Sequence, residues 1–194
     1  MEGSIFIAGA GVQWLRDRMK FFKKAPETEK IVKSLQNNND IYLVPAFTGL
    51  GAPYWEANAR GVLSGITRDT SPKEIVRATI EAVAYQTHDL FEAMKHDGLR
   101  PKIVKVDGGM VMNNWFSQFL SDIVNVKVLR PKVQETTALG AAFMAGLQIG
   151  IYKSLKDISK NWQLDKKFSS KMKNSSRKTL INGWERAVKR ALIN

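Results

Sequence analysis

Residues 41–81 read IYLVPAFTGLGAPYWEANARGVLSGITRDTSPKEIVRATIE, and the reading of this stretch decides the fold. Residues 41–44 form an apolar run with strand character. They empty into a long loop, residues 45–60, that carries Gly49, Gly51 and Pro53 with the aromatics Phe47, Tyr54 and Trp55. A short segment, Gly61-Val62-Leu63-Ser64-Gly65, follows, and then a helix opens. Ser71 suits its N-cap, Pro72 its first helical position, and Glu74 stands three residues after the cap. The helix is expected from 72 to about 95, apolar along Ile75, Ala78, Ala82, Val83, Leu90 and Met94. Lys95 and His96 favour its C-terminal end, and Gly98 suits the stop.

On either side the same alternation continues. Upstream, Val12, Leu15 and Met19 keep helical spacing and predict a helix over 9–24. Ile31, Val32 and Leu35 mark a short helical segment, bounded by Pro26 and the Gln36-Asn37-Asn38-Asn39-Asp40 cluster. Downstream, Ile103-Val104-Lys105-Val106 reads as a strand that runs into Asp107-Gly108-Gly109. A helix over about 113–122 comes next, then a strand over 126–129 ended by Arg130-Pro131. A small-residue helix over 137–149 follows, and a last amphipathic helix over about 177–192. Strand–helix order of this kind predicts an α/β protein with a mainly parallel sheet.

The chain has 194 residues, 44% of them hydrophobic, which is enough for one real core. No stretch reaches the roughly 20 apolar residues of a bilayer span; residues 138–151 are too short and contain Gln148. The start, MEGSIFIAGA, lacks the basic flank of a signal peptide. There is no cysteine, and the two histidines, His88 and His96, are too few for a zinc site. A cytoplasmic protein without a membrane partner is expected. The formal net charge is +12, but most of it sits in residues 151–194, which read as a solvated lysine-rich segment. Trp162, Phe168 and Trp184 are too sparse there for a base-stacking platform, so nucleic acid is not an expected partner.

Two Gly-containing stretches have the form of ligand sites. In Val106-Asp107-Gly108-Gly109 and Asn113, a strand ends in Gly-Gly just before a helix. Glycine lets a ligand approach the backbone, and the helix N-terminus offers N–H groups to an anion. In Ala8-Gly9-Ala10-Gly11-Val12-Gln13-Trp14, small residues open a helix with Gln13 one turn in. Taken locally, each reads rather as a packing turn or an ordinary helix start. The aromatic loop at 49–55 is a polyol pocket or a loop pinned by its own rings. The Gly/Ala face of Ala138-Leu139-Gly140-Ala141-Ala142-Phe143-Met144-Ala145-Gly146 is expected to pack closely against a neighbouring helix or strand. No pair of carboxylates is marked out by spacing for acid–base work, and no HExxH, GxSxG or Gly-rich loop with lysine is present.

Together these motifs resemble the C-terminal part of the FGGY carbohydrate kinases. Gly61-Val62-Leu63-Ser64-Gly65-Ile66, Glu74-Ile75 and Ala78-Thr79-Ile80-Glu81 are similar to that family's second signature in type and spacing. The order of Ala8-Gly9 with Gln13-Trp14-Leu15-Arg16-Asp17, then Pro45-Ala46-Phe47-Thr48-Gly49-Leu50-Gly51-Ala52-Pro53-Tyr54-Trp55, Asp107-Gly108-Gly109 and Thr137-Ala138-Leu139-Gly140 resembles its glycerol-phosphorylating members. The likeness is strong over residues 2–150 and weaker to the final helix. It implies a ribonuclease H-like lobe of the actin-type ATPase architecture, one of two that clamp MgATP and a polyol, and transfer of the γ-phosphoryl group of ATP to a terminal hydroxyl of glycerol. By the same likeness Gly9, Gln13, Gly109 and Asn113 match nucleotide-binding positions. No catalytic residue and no metal ligand match within this chain.

The resemblance also implies a lobe truncated at its start, with the polyol-binding groups and the catalytic base in an N-terminal lobe. Glycerol and ATP are then handled only together with that lobe, and the chain alone is not catalytic. Residues 1–150 are expected to form the incomplete lobe and 151–194 a basic extension. Met1-Glu2-Gly3 would begin mid-domain. Ile5-Phe6-Ile7 and residues 41–44 would be exposed along an unpaired edge, and a homo-oligomer is an expected consequence. Glu56-Ala57 departs from the family's Asp-Pro after Tyr-Trp, and Leu120 departs within the stretch from Gln118 to Asp122. A non-catalytic remnant, the lobe of another FGGY sugar kinase, and a basic interaction module at 151–194 are the alternatives.

Overall fold

The computed structural model describes residues 3–193; Met1, Glu2 and Asn194 lie outside the described residues. Its organising element is the long helix read from residues 71–98. Ser71 caps it by accepting from Lys73 N, while the Glu74 carboxylate accepts from Ser71 N at 2.9 Å and from Ser71 Oγ at 2.6 Å. This reciprocal cap satisfies N–H groups that the first helical turn leaves free. The helix, α3 (Pro72–His96), ends before Gly98, whose φ of +87° is the left-handed stop expected of glycine.

Before α3 come α1 (Gly9–Asp17), α2 (Glu27–Lys33), β1 (Tyr42–Val44) and β2 (Val62–Ser64). After it come β3 (Ile103–Lys105), a 3-10 turn at Gly109–Met112, α4 (Asn114–Val124), β4 (Lys127–Pro131) and α5 (Thr136–Gln148). The chain continues through α6 (Leu155–Ser159), β5 (Leu164–Phe168) and α7 (Asn174–Ala191). The strands form two sheets. β1 and β2 pair antiparallel with Leu43 opposite Leu63. The second sheet runs β3-β4-β5, parallel between β3 and β4 and antiparallel between β4 and β5, with Val128 opposite both Val104 and Phe168. The expected mainly parallel sheet is thus realised only where one helix, α4, crosses between consecutive strands.

The core lies around α3. Tyr85 stacks on Trp184 of α7 at 5.4 Å and meets Phe119 of α4 edge-on at 5.7 Å and Tyr42 of β1 at 5.8 Å. Trp184 is fully buried, and Ala187, Val188 and Ala191 follow it inward at helical spacing. Gly183 makes this approach possible: a Cβ there would stand 2.1 Å from Tyr42 Oη. The division expected at residue 150 therefore does not follow a break in the core, because β5 completes the second sheet and α7 fills the interior.

Other expectations change as well. The side chains from Ile41 through Val44 are buried rather than exposed, since β1 lies against α3 and α7, while β2 is its one strand partner among the described residues. Residues 3–8 form no strand; Phe6 is exposed against Trp55, whereas Ile7 is buried and its carbonyl accepts from the Gln86 amide. The expected first helix stops at Asp17, and Lys20 turns the chain with a φ of +60°. The aromatic loop is pinned by its own side chains. Tyr54 donates to Asp89 at 2.8 Å, and Phe47 packs on Trp14 at 5.0 Å. On the Gly/Ala face of α5 close packing is confined to Gly146, which is buried and where a Cβ would stand 2.8 Å from Tyr152.

Candidate functional site

The two glycine stretches come from opposite halves of the sequence and meet in space. Gly9 and Gln13 on α1, and Gly109 and Asn113 around the 3-10 turn, all line one cavity of ≈ 450 Å³. Its walls are apolar where Val12, Pro26, Ile80, Met110 and Met112 face it, and polar at Gln13, Arg16, Thr28, Glu29 and Asn113. Apolar walls with a few placed polar groups are the usual make-up of a small-molecule site.

The glycines separate into two kinds. A Cβ on Gly11 would stand 2.9 Å from Thr79 on α3, so Gly11 is a packing glycine. A Cβ on Gly9 or Gly109 would meet no atom within 4 Å. Their open space belongs to the cavity, so the fold does not require glycine at either position. Gly108 differs again, with a φ of +81° that turns the chain out of β3.

Asn113 is held at both ends of its amide. As N-cap of α4 its Oδ1 accepts from Phe116 N at 3.0 Å, and its Nδ2 donates to Thr28 Oγ1 on α2 at 3.3 Å. The next N–H, of Asn114, donates to Glu29 Oε2 at 3.2 Å. This helix start was expected to hold free N–H groups for an anion, but a carboxylate and an amide of the chain already occupy it. Burial pushes the Glu29 carboxyl up; its bonds to Lys33 and Asn114 outweigh that and leave it below the usual carboxylate range. At the mouth Arg16 is bound to Asp17 through two contacts, at 2.7 and 2.8 Å.

The 3-10 turn is fixed from behind by Arg130 of β4. Its Nη1 donates to the Val111 and Met112 carbonyls at 2.8 and 3.3 Å, and its Nε meets Asp165 of β5 at 2.7 Å. Ser117 Oγ donates to the same Val111 carbonyl at 2.9 Å. The wall that carries Gly109 and Asn113 thus rests on a buried guanidinium, whose charge is answered by the C-terminal segment. Asp107, the carboxylate at the end of β3, accepts from Thr136 Oγ1.

Thr28, Glu29 and Arg130 were not singled out from sequence. Glu27-Thr28-Glu29-Lys30 reads only as a helix start, and Arg130 only as the end of a strand. Glu81 lies apart from the cavity, fully buried, bound to Arg77 Nε at 2.7 Å and to Tyr85 Oη at 2.9 Å. Burial drives its carboxyl up while Arg77 acts against that. A wider groove of ≈ 1070 Å³ between residues 36–41, α4 and α7 holds none of the four sequence-predicted residues. Among the described residues no group of three His, Asp or Glu could hold a metal ion, and no helix is long and apolar enough to cross a membrane.

Comparison with known proteins places this geometry in a family. The C-terminal domain of the FGGY family of carbohydrate kinases matches residues 1–149. Glycerol kinase 1 of Pseudomonas aeruginosa is 55% identical over 190 residues, which are 98% of this chain and 38% of that protein. Glycerol kinase of Alkaliphilus oremlandii is 51% identical over 99% of this chain and 38% of that protein. The chain therefore spans 38% of the length of these curated relatives. Among solved structures, Plasmodium falciparum glycerol kinase with ADP superposes with a TM-score of 0.87 at 39% identity, over 98% of this chain and 38% of that one. Xylulose kinase of Lactobacillus acidophilus shares the fold, with a TM-score of 0.79 at 23% identity over 97% of this chain and 38% of that one. With its first 149 residues matched, and with an α/β core shared with these kinases, the chain belongs to the FGGY family of carbohydrate kinases.

Proposed function

We propose that this chain acts as the nucleotide-side lobe in ATP-dependent phosphorylation of glycerol to glycerol 3-phosphate. The observation that carries the reading is the convergence of Gly9, Gln13, Gly109 and Asn113 on one cavity, with open space beyond both glycines. The names of the relatives supply the acceptor, and the ADP of the Plasmodium kinase structure supplies the ligand class.

Phosphoryl transfer is mostly positioning and charge stabilisation. In this reading the apolar walls hold the nucleoside, the two glycines admit its backbone-hugging atoms, and Gln13 and Asn113 bond its polar edges. Among the described residues Glu29 is the cavity's one lining carboxylate, and it is committed to Lys33 and the Asn114 N–H. Such a donor set fits a Mg²⁺ that arrives on the phosphates and keeps its waters. Bound in that way, the ion would neutralise phosphate charge. Glycerol and the base that activates its hydroxyl would be placed by the remainder of a full-length kinase, in the cytoplasm where ATP is supplied.

The test is ADP and ATP binding by the chain and by Gly9→Val and Gly109→Val, followed by amide shifts in NMR titrations. Affinity for the wild-type chain is expected in the millimolar range, roughly 4 kcal/mol. Each valine is expected to weaken it about tenfold or more while the melting midpoint stays within a degree or two, because a Cβ at either position meets no atom within 4 Å. Wild-type affinity in Gly109→Val would show that the nucleotide does not sit in this cavity.

A further inference from the structure

Thr28 is buried on α2 and has one hydroxyl proton, which it gives to the Ala25 carbonyl at 2.7 Å. Its oxygen is left only to accept. The neighbour it meets is the Asn113 side chain, at 3.3 Å, and so the amino end of that amide must face Thr28. The carbonyl end then faces the Phe116 N–H and caps α4. The Thr28 oxygen and the Phe116 N–H therefore select the same orientation of the Asn113 amide, and Thr28 is the one of the two that reaches it from a different helix. Glu29, one residue on, holds the Asn114 N–H and fixes the backbone on which the amide is mounted.

From this we propose that Thr28 is a positioning residue of the nucleotide cavity. It orients Asn113 so that the second amino hydrogen, the one not given to Thr28, is presented to the ligand. Asn113 then reads a hydrogen-bond acceptor on the nucleoside, a purine ring nitrogen or a ribose oxygen. Without the Thr28 oxygen, the flipped amide would leave the Phe116 N–H unpaired and present the opposite polarity to the ligand. This inference rests on the nucleotide reading of the cavity and adds to it a residue that touches Asn113 and carries no role by family likeness.

The experiment is titration of the full chain with ADP, read by amide chemical shifts, for wild type, Asn113→Ala, Thr28→Val, Thr28→Ser and the Thr28→Val/Asn113→Ala double variant. Asn113→Ala is expected to raise Kd about tenfold and Thr28→Val about fivefold, the size of one lost hydrogen bond. Thr28→Ser keeps the oxygen and is expected within twofold of wild type. The double variant is expected to be no weaker than Asn113→Ala alone, since Thr28 acts through Asn113. A purely structural role would instead make the two losses multiply. If Thr28→Val disturbs the amide spectrum of the unliganded chain, Thr28→Ala replaces it in the same cycle. Weakening by Asn113→Ala with none from Thr28→Val, or multiplying losses, would overturn the inference and leave the cavity assignment standing. No change in Asn113→Ala either would overturn the cavity assignment itself.

Discussion

Asp89 receives two donors that reach it from distant parts of the chain. Tyr54 Oη and Trp184 Nε1 both donate to its Oδ2, at 2.8 and 2.7 Å. A buried carboxylate with two neutral donors ties the aromatic loop and α7 to α3, and hydrogen bonds to a charged acceptor are the stronger kind. Burial and the Asp89 charge push the Tyr54 hydroxyl far up, so it stays a donor at every ordinary pH. Asp89→Ala is expected to cost about 2–3 kcal/mol, because it strands the Trp184 N–H in the core. Urea unfolding measures this. Additive losses for Asp89→Ala and Trp184→Phe would show that the two side chains are not coupled.

At the scale of the element, α3 has the local signals needed to start and stop it. Removing the cap oxygen in Ser71→Ala is expected to cost about 1 kcal/mol. Burial pushes the Glu74 carboxyl up; its hydrogen bonds to Ser71 prevail and hold it below its ordinary value. A carboxyl depressed on folding stabilises above its unfolded pKa and loses that contribution as pH falls through the folded value. Glu74→Gln is therefore expected to be less stable than the parent at pH 7, with the gap closing below about pH 4. Thermal melts from pH 7 to 3 measure it, and a gap that widens in acid would contradict the assigned hydrogen bonds. The second sheet is closed at one side by β5, whose Lys166 and Lys167 suit an edge. Its other side, β3, keeps Lys102 and Lys105 beside an exposed Ile103.

Across the whole molecule, apolar side chains remain uncovered on and beside α5. Met144, Ile149, Ile151 and Leu155 are each at least half exposed, and Ile103 and Val133 likewise. Exposed apolar side chains in this number favour association, while the net charge of +12 opposes it. The chain is therefore expected to self-associate weakly, and more strongly as salt screens the repulsion. Sedimentation at low and high salt, about 50 and 500 mM, decides this; a monodisperse monomer in both would refute it, and Ile149→Lys is expected to weaken the association. Glycerol turnover by the isolated chain with MgATP is expected to be absent, because among the described residues the cavity carries no spare carboxylate to serve as a base. A coupled ADP assay checks it, and turnover that survives removal of contaminating kinase would overturn the proposed division of roles.

The sequence by itself determined the elements whose signals are local. The cap at Ser71 and Glu74, the stop at Gly98, the turn at Gly108-Gly109 and the helix start near Asn113 each work within a few residues, and such signals need no partner to be read. The four cavity residues were nameable through the family resemblance; their short motifs at helix starts, read locally, pointed to packing turns and helix starts. Tertiary structure alone decided what those residues face. Lys166 and Lys167 hide a strand, because a charged edge strand owes its pairing to β4 rather than to its own pattern. The depth of Trp184 follows from Gly183 lying against Tyr42, a contact between residues far apart in the chain. Thr28 and Arg130 look ordinary in sequence, since a hydroxyl or guanidinium acquires a role only from the amide or carbonyl that folding brings to it.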